Sequence, residues 1–409
     1  MSNPTYIDLF AGAGGLSEGF IRAGFKPVAH VEMDLNACNT LRTRIVYHHL
    51  AKENKKEIYK RYLLKEITRE ELYKLAPQYI FDSIINAEVN NESLNPIFEV
   101  IDKQIGNKQV DVIIGGPPCQ AYSLVGRSRD PNRMALDKRN FLFEYYAEFL
   151  KRYKPQYFVF ENVRGLLTAS NYMNRMLDLF QSKEVGYTVK FQILNAVDFG
   201  VLQNRKRVII IGKLGNQGFD YPEFEENLKN WTIKPHLFDD LPVLKPGDEP
   251  SFVDYTRDTN KYLLESAIRN SLPFVTQHIV RPNNLRDLEI YRLTIEKWLN
   301  ERKQLHYDEI PEELKTHKNE KSFLDRFKVV DPNGVSHTMV AHIAKDGHYY
   351  IYPDLNQIRS ISVREAARIQ SFPDDFFFEG GRTAAFKQIG NAVPPLMAQA
   401  IAKKIWELI

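Results

Sequence analysis

The chain has 409 residues, 43% of them hydrophobic, with 55 basic and 52 acidic side chains and two cysteines. That supplies enough apolar surface for a sizeable core over two domains, excludes a scaffold built on disulfides, and leaves no global charge that would by itself announce a polyanionic partner. With no run near the roughly 20 apolar residues that a bilayer span requires, and no charged-then-apolar leader at Met1-Ser2-Asn3-Pro4, the expectation is a soluble chain in a reducing cytoplasm.

Thr5-Tyr6-Ile7-Asp8-Leu9-Phe10 reads as a short strand, and the glycine turn that follows runs into a helix ending near Ala23-Gly24. Gly12, Gly14 and Gly15 let the backbone approach a bulky ligand, and the helix start offers unpaired N–H groups. Ser17 stands where a dinucleotide fingerprint needs its third glycine, which argues against a nicotinamide site. A second strand over residues 27–31 delivers Glu32, an acid spaced from the glycine turn so as to grip ribose hydroxyls; a solvated Glu32 beside a plain tight turn is the bland alternative. Cys38 is expected in the core. Residues 45–75, rich in Lys, Glu, Tyr and Leu at helical spacing, read as a solvated helical insert, and residues 79–92 hold a third strand and its exit loop.

Val110-Asp111-Val112-Ile113-Ile114 is an apolar run that breaks into Gly115-Gly116-Pro117-Pro118 and delivers Cys119. The run reads as a buried parallel strand and the break as its carboxyl end, where open α/β sheets collect ligands. A thiol on a proline-stiffened turn there has the placement of a nucleophile, against the alternative of a small buried apolar residue. Residues 124–139 carry Arg127, Arg129, Arg133, Lys138 and Arg139 in a basic loop able to close over a phosphate-bearing substrate. A helix over 141–153 precedes a strand over 157–160 that delivers Glu161-Asn162, a carboxyl suited to hydrogen-bond a ring nitrogen. A helix over 172–182 leads to strands over 188–194 and 207–212, read as an antiparallel hairpin, and Arg205, Lys206 and Arg207 at its turn call for an anionic or strongly polar substrate.

After Leu214 prolines become frequent and the α/β rhythm stops, which places a domain boundary there. Residues 336–353 read as two β-rich runs about an Asp346-Gly347 turn. His337, His342 and His348 have no metal spacing with a cysteine, so no metal site is expected. Ser362-Val363-Arg364-Glu365 is a capping box opening a helix, and an amphipathic helix runs to Trp406.

Six stretches, in this order, together resemble the DNA (cytosine-5)-methyltransferases: Asp8-Leu9-Phe10-Ala11-Gly12-Ala13-Gly14-Gly15, Gly116-Pro117-Pro118-Cys119-Gln120, Glu161-Asn162-Val163, Gln203-Asn204-Arg205-Lys206-Arg207, Arg364-Glu365-Ala366-Ala367-Arg368 and Gln388-Ile389-Gly390-Asn391-Ala392-Val393. The resemblance implies an α/β chain: a Rossmann-like S-adenosylmethionine-dependent methyltransferase fold, mostly parallel with an antiparallel hairpin strand, plus a smaller, irregular β-containing target-recognition domain. Residues 1–213 would form the catalytic and cofactor domain, 214–358 the target-recognition domain, and 359–409 a segment returning to the first. Thr338-Met339 resembles the family's Thr-aliphatic pair in the recognition region.

By the same resemblance Cys119 is the thiolate that adds to C6 of a flipped cytosine, Glu161 bonds its N3 and amine, Arg207 is directed at its O2 with Arg205 in support, and Asn162 holds the turn. Phe10, Gly12, Gly14, Gly15, Leu16, Glu32, Met33, Pro118, Asn391 and Val393 match the cofactor side, and Glu88 is the nearest candidate for an acid beside the adenine. The implied activity is DNA (cytosine-5-)-methyltransferase with S-adenosyl-L-methionine, acting as a monomer on double-stranded DNA, without membrane or metal, as the modifying partner of a restriction enzyme. Methylation of transfer RNA would keep this fold; an inactive DNA-binding homologue would show a broken motif, whereas Cys119, Glu161 and Arg207 are all present.

Overall fold

The apolar run that ends at Gly115 lies in the middle of a seven-stranded sheet. The computed structural model describes residues 3–118, 141–169, 172–225, 229–270, 272–315 and 324–409. Its first half supplies β1 (Thr5–Leu9), β2 (Lys26–Glu32), β3 (Ile84–Asn86), β4 (Val112–Gly115), β5 (Tyr157–Val163), β6 (Tyr187–Asn195), β7 (Gln203–Asn204) and β8 (Lys206–Leu214). The sheet order is β3-β2-β1-β4-β5-β8-β6. Pairing is parallel from β3 to β5, and β8 runs antiparallel to both of its neighbours. The expected antiparallel strand is therefore present, as a single reversed strand inserted between β5 and β6.

The central strands are apolar on both faces because helices cover both. One face carries Ile7, Leu9 and Ile113 against α6 (Leu94–Ile105), α7 (Leu142–Tyr153) and α8 (Tyr172–Gln181). The other carries Tyr6, Val112, Ile114 and Val159 against α1 (Gly15–Arg22) and α13 (Pro395–Leu408). Gly19 makes the approach of α1 and α13 possible, since a Cβ there would collide with the backbone of Ala398 and Gln399. The end of the chain thus packs beside its first helix.

Between β2 and β3 lie α2 (Leu35–Lys52), α3 (Lys56–Leu63), α4 (Arg69–Tyr73) and α5 (Gln78–Asp82). Asp34 caps α2 by accepting from the N–H groups of Asn36 and Ala37, at 3.0 and 3.2 Å. The expected solvated insert needs correction. Tyr59, Leu63 and Leu72 are buried in one cluster with Phe274, Phe377 packs against it, the Tyr59 hydroxyl donates to Asp375 O (2.9 Å), and Tyr62 donates to Glu379 Oε1 (2.6 Å). Its apolar stripe covers a partner distant in sequence rather than solvent.

Beyond Leu214 the elements are α9 (Lys261–Glu265), α10 (Leu285–Glu301), α11 (Val363–Ile369) and α12 (Arg382–Asn391), with a small pair β9 (Phe252–Asp254) and β10 (Phe274–Thr276). The capping box on α11 forms as read, and Glu365 adds an ion pair with Arg359 at 2.8 Å. The expected hairpin over 336–353 does not form among the described residues. Asp346 Oδ1 accepts from the His348 N–H (3.0 Å) and Gly347 takes φ 77°, but the backbone turn there closes from Gly347 O to the Tyr350 N–H (2.9 Å), β11 (Ser336–His337) pairs parallel with β7, and Ile351 bridges Val329 and Ser360. Each arm finds a deeper partner than the other arm, because Met339, Ile343 and Tyr350 fill a core with Leu202, Phe372 and Phe386. The same core takes Ala13 from the first turn, so the regions before and after residue 214 are joined by shared apolar packing. Among the described residues no helix is long and apolar enough to cross a membrane.

Two buried histidines make this packing sensitive to acid. His30 of β2 bonds Ser17 Oγ at 2.8 Å, and His278 bonds the Ser362 hydroxyl and Pro242 O, each at 2.9 Å. Burial lowers His30 to about 3 and His278 to about 4. Unfolded histidine titrates near 6.5, so below that pH the unfolded chain takes up protons that the fold refuses, and stability falls by about 1.4 kcal/mol per pH unit for each histidine until the folded values are reached. Urea unfolding compared at about pH 7 and about pH 5 is expected to show a clear drop in midpoint; an unchanged midpoint contradicts it.

Candidate active site

The strand order brings the carboxyl ends of β4 and β5 side by side, where the break after Gly115 meets Glu161 and Asn162. Gly116 has a specific reason to be glycine: a Cβ there would lie 2.6 Å from Glu161 Oε2. Asn162 is buried, accepts from the Val163 N–H (2.8 Å) and donates to Pro117 O (3.4 Å), so it holds the Gly-Gly-Pro-Pro break against β5. Because β8 is reversed, it starts where β5 ends, and Arg207 stands opposite Val163. Glu161 is two residues back on the same face, the diagonal neighbour, and its Oε1 takes Arg207 Nε at 2.8 Å. Arg207 Nη1 also donates to Lys206 O (2.9 Å). An acid and a cation thus meet at one sheet end beside Pro117-Pro118, with Pro118 exposed.

The second half of the site is the turn after β1. Phe10 and Gly12 both take positive φ, 57° and 56°, which folds the backbone sharply over the strand end. Glu32, at the end of β2, accepts from the N–H groups of Gly12 and Asp34, each at 2.8 Å. Burial raises the Glu32 carboxyl above its usual range; the buried Asp8 carboxyl is raised further, by burial and then by Glu32. Asn86 at the end of β3 donates to the carbonyls of Glu32 and Met33, at 3.1 and 3.0 Å. Met33 is left 60% exposed beside them. Glu88 is exposed, and only its carbonyl is engaged, by Ser93 Oγ.

The three glycines differ in what a side chain there would meet. Gly12 faces open space. Gly14 is closed by Leu41, 2.7 Å from where its Cβ would sit, and Gly15 by the carbonyl of Val393. Leu16 is buried in the core, while Asn391 is exposed at the end of α12. Open space over Gly12, a carboxylate fixed by two backbone donors, and the exposed Met33 and Asn391 at the rim fit a hydroxyl-bearing nucleoside.

Arg205, expected in support of Arg207, is 1% exposed, and its guanidinium donates to Met339 O (2.5 Å) and Gly390 O (3.4 Å). Sequence reasoning also passed over Gln203 and Gln370, both buried and bonded to each other at 2.7 Å. Gln203 opening the stretch Gln203–Arg207, and Gln370 two residues past the stretch Arg364–Arg368, were the available signal. Cys119 and the basic loop over 124–139 lie outside the described residues.

Six strands running one way, a glycine turn facing an acid on the second strand, and one reversed strand next to the edge are the architecture of S-adenosylmethionine-dependent methyltransferases. The same fold is found in a prophage-encoded protein of E. coli (TM-score 0.65, 23% identity, 99% of each chain) and in the Entamoeba histolytica methyltransferase EhMeth (TM-score 0.57, 13% identity, 100% of this chain and 99% of that one). The model of the family C-5 cytosine-specific DNA methylase matches residues 5–72 and 76–407. The chain is 42% identical to the Type II methyltransferase M.Bpa9945I of Bacillus paralicheniformis over 98% of each sequence. It is 31% identical to the Type II methyltransferase M.DdeI of Desulfomicrobium norvegicum, over 98% of this chain and 88% of that one. The chain belongs to the C-5 cytosine-specific DNA methylase family, whose chemistry is methyl transfer from S-adenosylmethionine.

Proposed function

We propose that this protein methylates C5 of a flipped cytosine within a specific duplex DNA sequence, as a cytoplasmic monomer that protects host DNA from a cognate restriction enzyme. The observation that carries the reading is the Glu161–Arg207 pair at the carboxyl end of β4 and β5, beside the turn that leads to Cys119. The Cys119 thiolate adds to C6 of the base; the new S–C bond pushes an electron pair through the ring toward N3 and makes C5 nucleophilic. Glu161, taking up a proton from water as the base enters, meets that charge by passing it to N3, and the Arg207 guanidinium, aligned by Glu161, meets it at O2. S-adenosylmethionine, when bound, supplies the electrophilic methyl. The C5 proton then passes to water, its electron pair re-forms the C5–C6 double bond and expels the thiolate, and N3 returns its proton to Glu161, restoring the aromatic base. Arg205 acts through Met339 and Gly390 as a positioning residue.

Phe10, Gly12, Glu32, Met33 and Asn391 would hold the cofactor, with Glu32 accepting from ribose hydroxyls through lone pairs that Gly12 and Asp34 leave free. Gly14, Gly15, Leu16 and Val393 support them from behind. Residues 214–358 would read the DNA, with 1–213 and 359–409 forming the catalytic unit. Methylome mapping of a host expressing the chain is expected to return 5-methylcytosine in one sequence context; marks on adenine or on cytosine N4 overturn the reading.

Glu32→Gln sets an amide nitrogen against at least one of two backbone donors. The Kd for S-adenosylmethionine is expected to rise by about 10- to 100-fold with kcat little changed, by calorimetry and steady-state kinetics. An unchanged Kd would remove Glu32 from the cofactor site.

A further inference from the structure

Gln203 and Gln370 are both fully buried, and together they join three pieces of chain that lie far apart in sequence. The Met339 N–H donates to Gln203 Oε1 (2.7 Å), the Gln203 amide donates to Gln370 Oε1 (2.7 Å), and the Gln370 amide donates to the carbonyls of Ile389 (2.6 Å) and Ala392 (3.3 Å). A backbone N–H only donates and a carbonyl only accepts, so both ends of the series fix both amide orientations; the bonds run one way, and each polarises the next. Arg205 forms a parallel arm by donating to Met339 O and Gly390 O, so both backbone polar groups of Met339 are held.

The two ends of this link are functionally distinct on the reading above. Met339 follows Thr338 in the segment 336–341, whose β11 pairs with β7, and Thr338 Oγ donates to Asn204 O at 2.7 Å. At the other end, Ala392 precedes Val393, whose carbonyl closes over Gly15 of the cofactor turn. Gly390 lets the two ends touch, since a Cβ there would strike the backbone of Val340 and Ala341. A shift of Met339 therefore either breaks buried hydrogen bonds or carries residues 389–392 with it.

We propose that Gln203 and Gln370 are positioning residues that couple engagement of DNA by residues 336–341 to the affinity of the cofactor site. The inference rests on the cofactor and DNA assignments made above and adds a reciprocal linkage between them. The test is calorimetry of S-adenosylhomocysteine binding to the full chain, with and without a duplex oligonucleotide carrying the site that methylome mapping returns. For the unaltered chain, DNA is expected to tighten the Kd by about tenfold. Gln370→Met is expected to leave the DNA-free Kd within about threefold and to cut the ratio from about tenfold to about threefold, the Arg205 arm carrying the rest; Gln203→Met should do the same, and the double variant no more, because the two amides act in series.

A ratio retained in either folded variant overturns the proposal, as does an equal loss of affinity with and without DNA, which marks a merely structural role. Hydrogen exchange on the unaltered chain needs no variant to fold: DNA alone should slow exchange in residues 386–396, and unchanged exchange there overturns the coupling. Failure of the chain to bind S-adenosylhomocysteine would instead bring down the underlying functional reading, whereas binding and C5 methylation with a ratio of one bring down this inference alone.

Discussion

Cys119→Ser is expected to abolish methyl transfer, with a fall of at least about 10⁴-fold in turnover, while S-adenosylmethionine binds within about twofold of its normal affinity. The asymmetry follows from chemistry. A serine hydroxyl is not ionised at neutral pH and is a poor nucleophile toward an aromatic carbon, whereas a thiol reaches its anion within the physiological range. Oxygen and sulfur differ little in bulk, and the cofactor turn is held by bonds of its own, from the N–H groups of Gly12 and Asp34 to Glu32. Transfer of labelled methyl groups to duplex DNA measures the first quantity and calorimetry the second. DNA containing 5-fluorocytosine should trap the unaltered chain as a species stable to denaturing electrophoresis and leave the serine variant free; turnover by that variant would exclude Cys119 as the nucleophile.

Glu161→Gln is expected to lower kcat by about 10²- to 10³-fold with less than about threefold change in the Kd for DNA. Glutamine still accepts from Arg207 Nε through its carbonyl, so the cross-strand contact at 2.8 Å survives in weakened form. It has no proton to give to a ring nitrogen. The partly buried Arg207 also loses its counter-charge, so a stability loss of about 1–3 kcal/mol is expected, seen as a lower Tm. Single-turnover kinetics separates the two effects, because a fold defect removes active sites without slowing those that remain. A variant whose chemical step is as fast as before would take Glu161 out of the reaction.

Much of this site is legible in the sequence because it sits at strand ends. Glu161, Asn162 and Glu32 each follow an apolar run directly, and a parallel sheet sets such positions side by side whatever the intervening chain does. Arg207 is legible for a related reason, since a short connection between two β-rich runs calls for a reversed strand. Arg205 is not, because its direction is decided by Met339 and Gly390, whose approach only the tertiary fold creates. The docked face of α3 and α4 is not legible, because an amphipathic stripe does not say what it covers. In residues 336–353 the hairpin that the Asp346-Gly347 pair calls for does not form, since hairpin signals are local and the winning partners are β7, Val329 and Ser360.

The close seat of residues 340–341 on Gly390 sets a rule for grafting. A chimaera that imports the reading region of a relative can splice before Ser336, but a join between Ser336 and Ala341 would lose the register on Gln203 and Asn204. Position 339 must also keep a backbone N–H, so a donor sequence with proline there is incompatible with this scaffold however well it reads its own site.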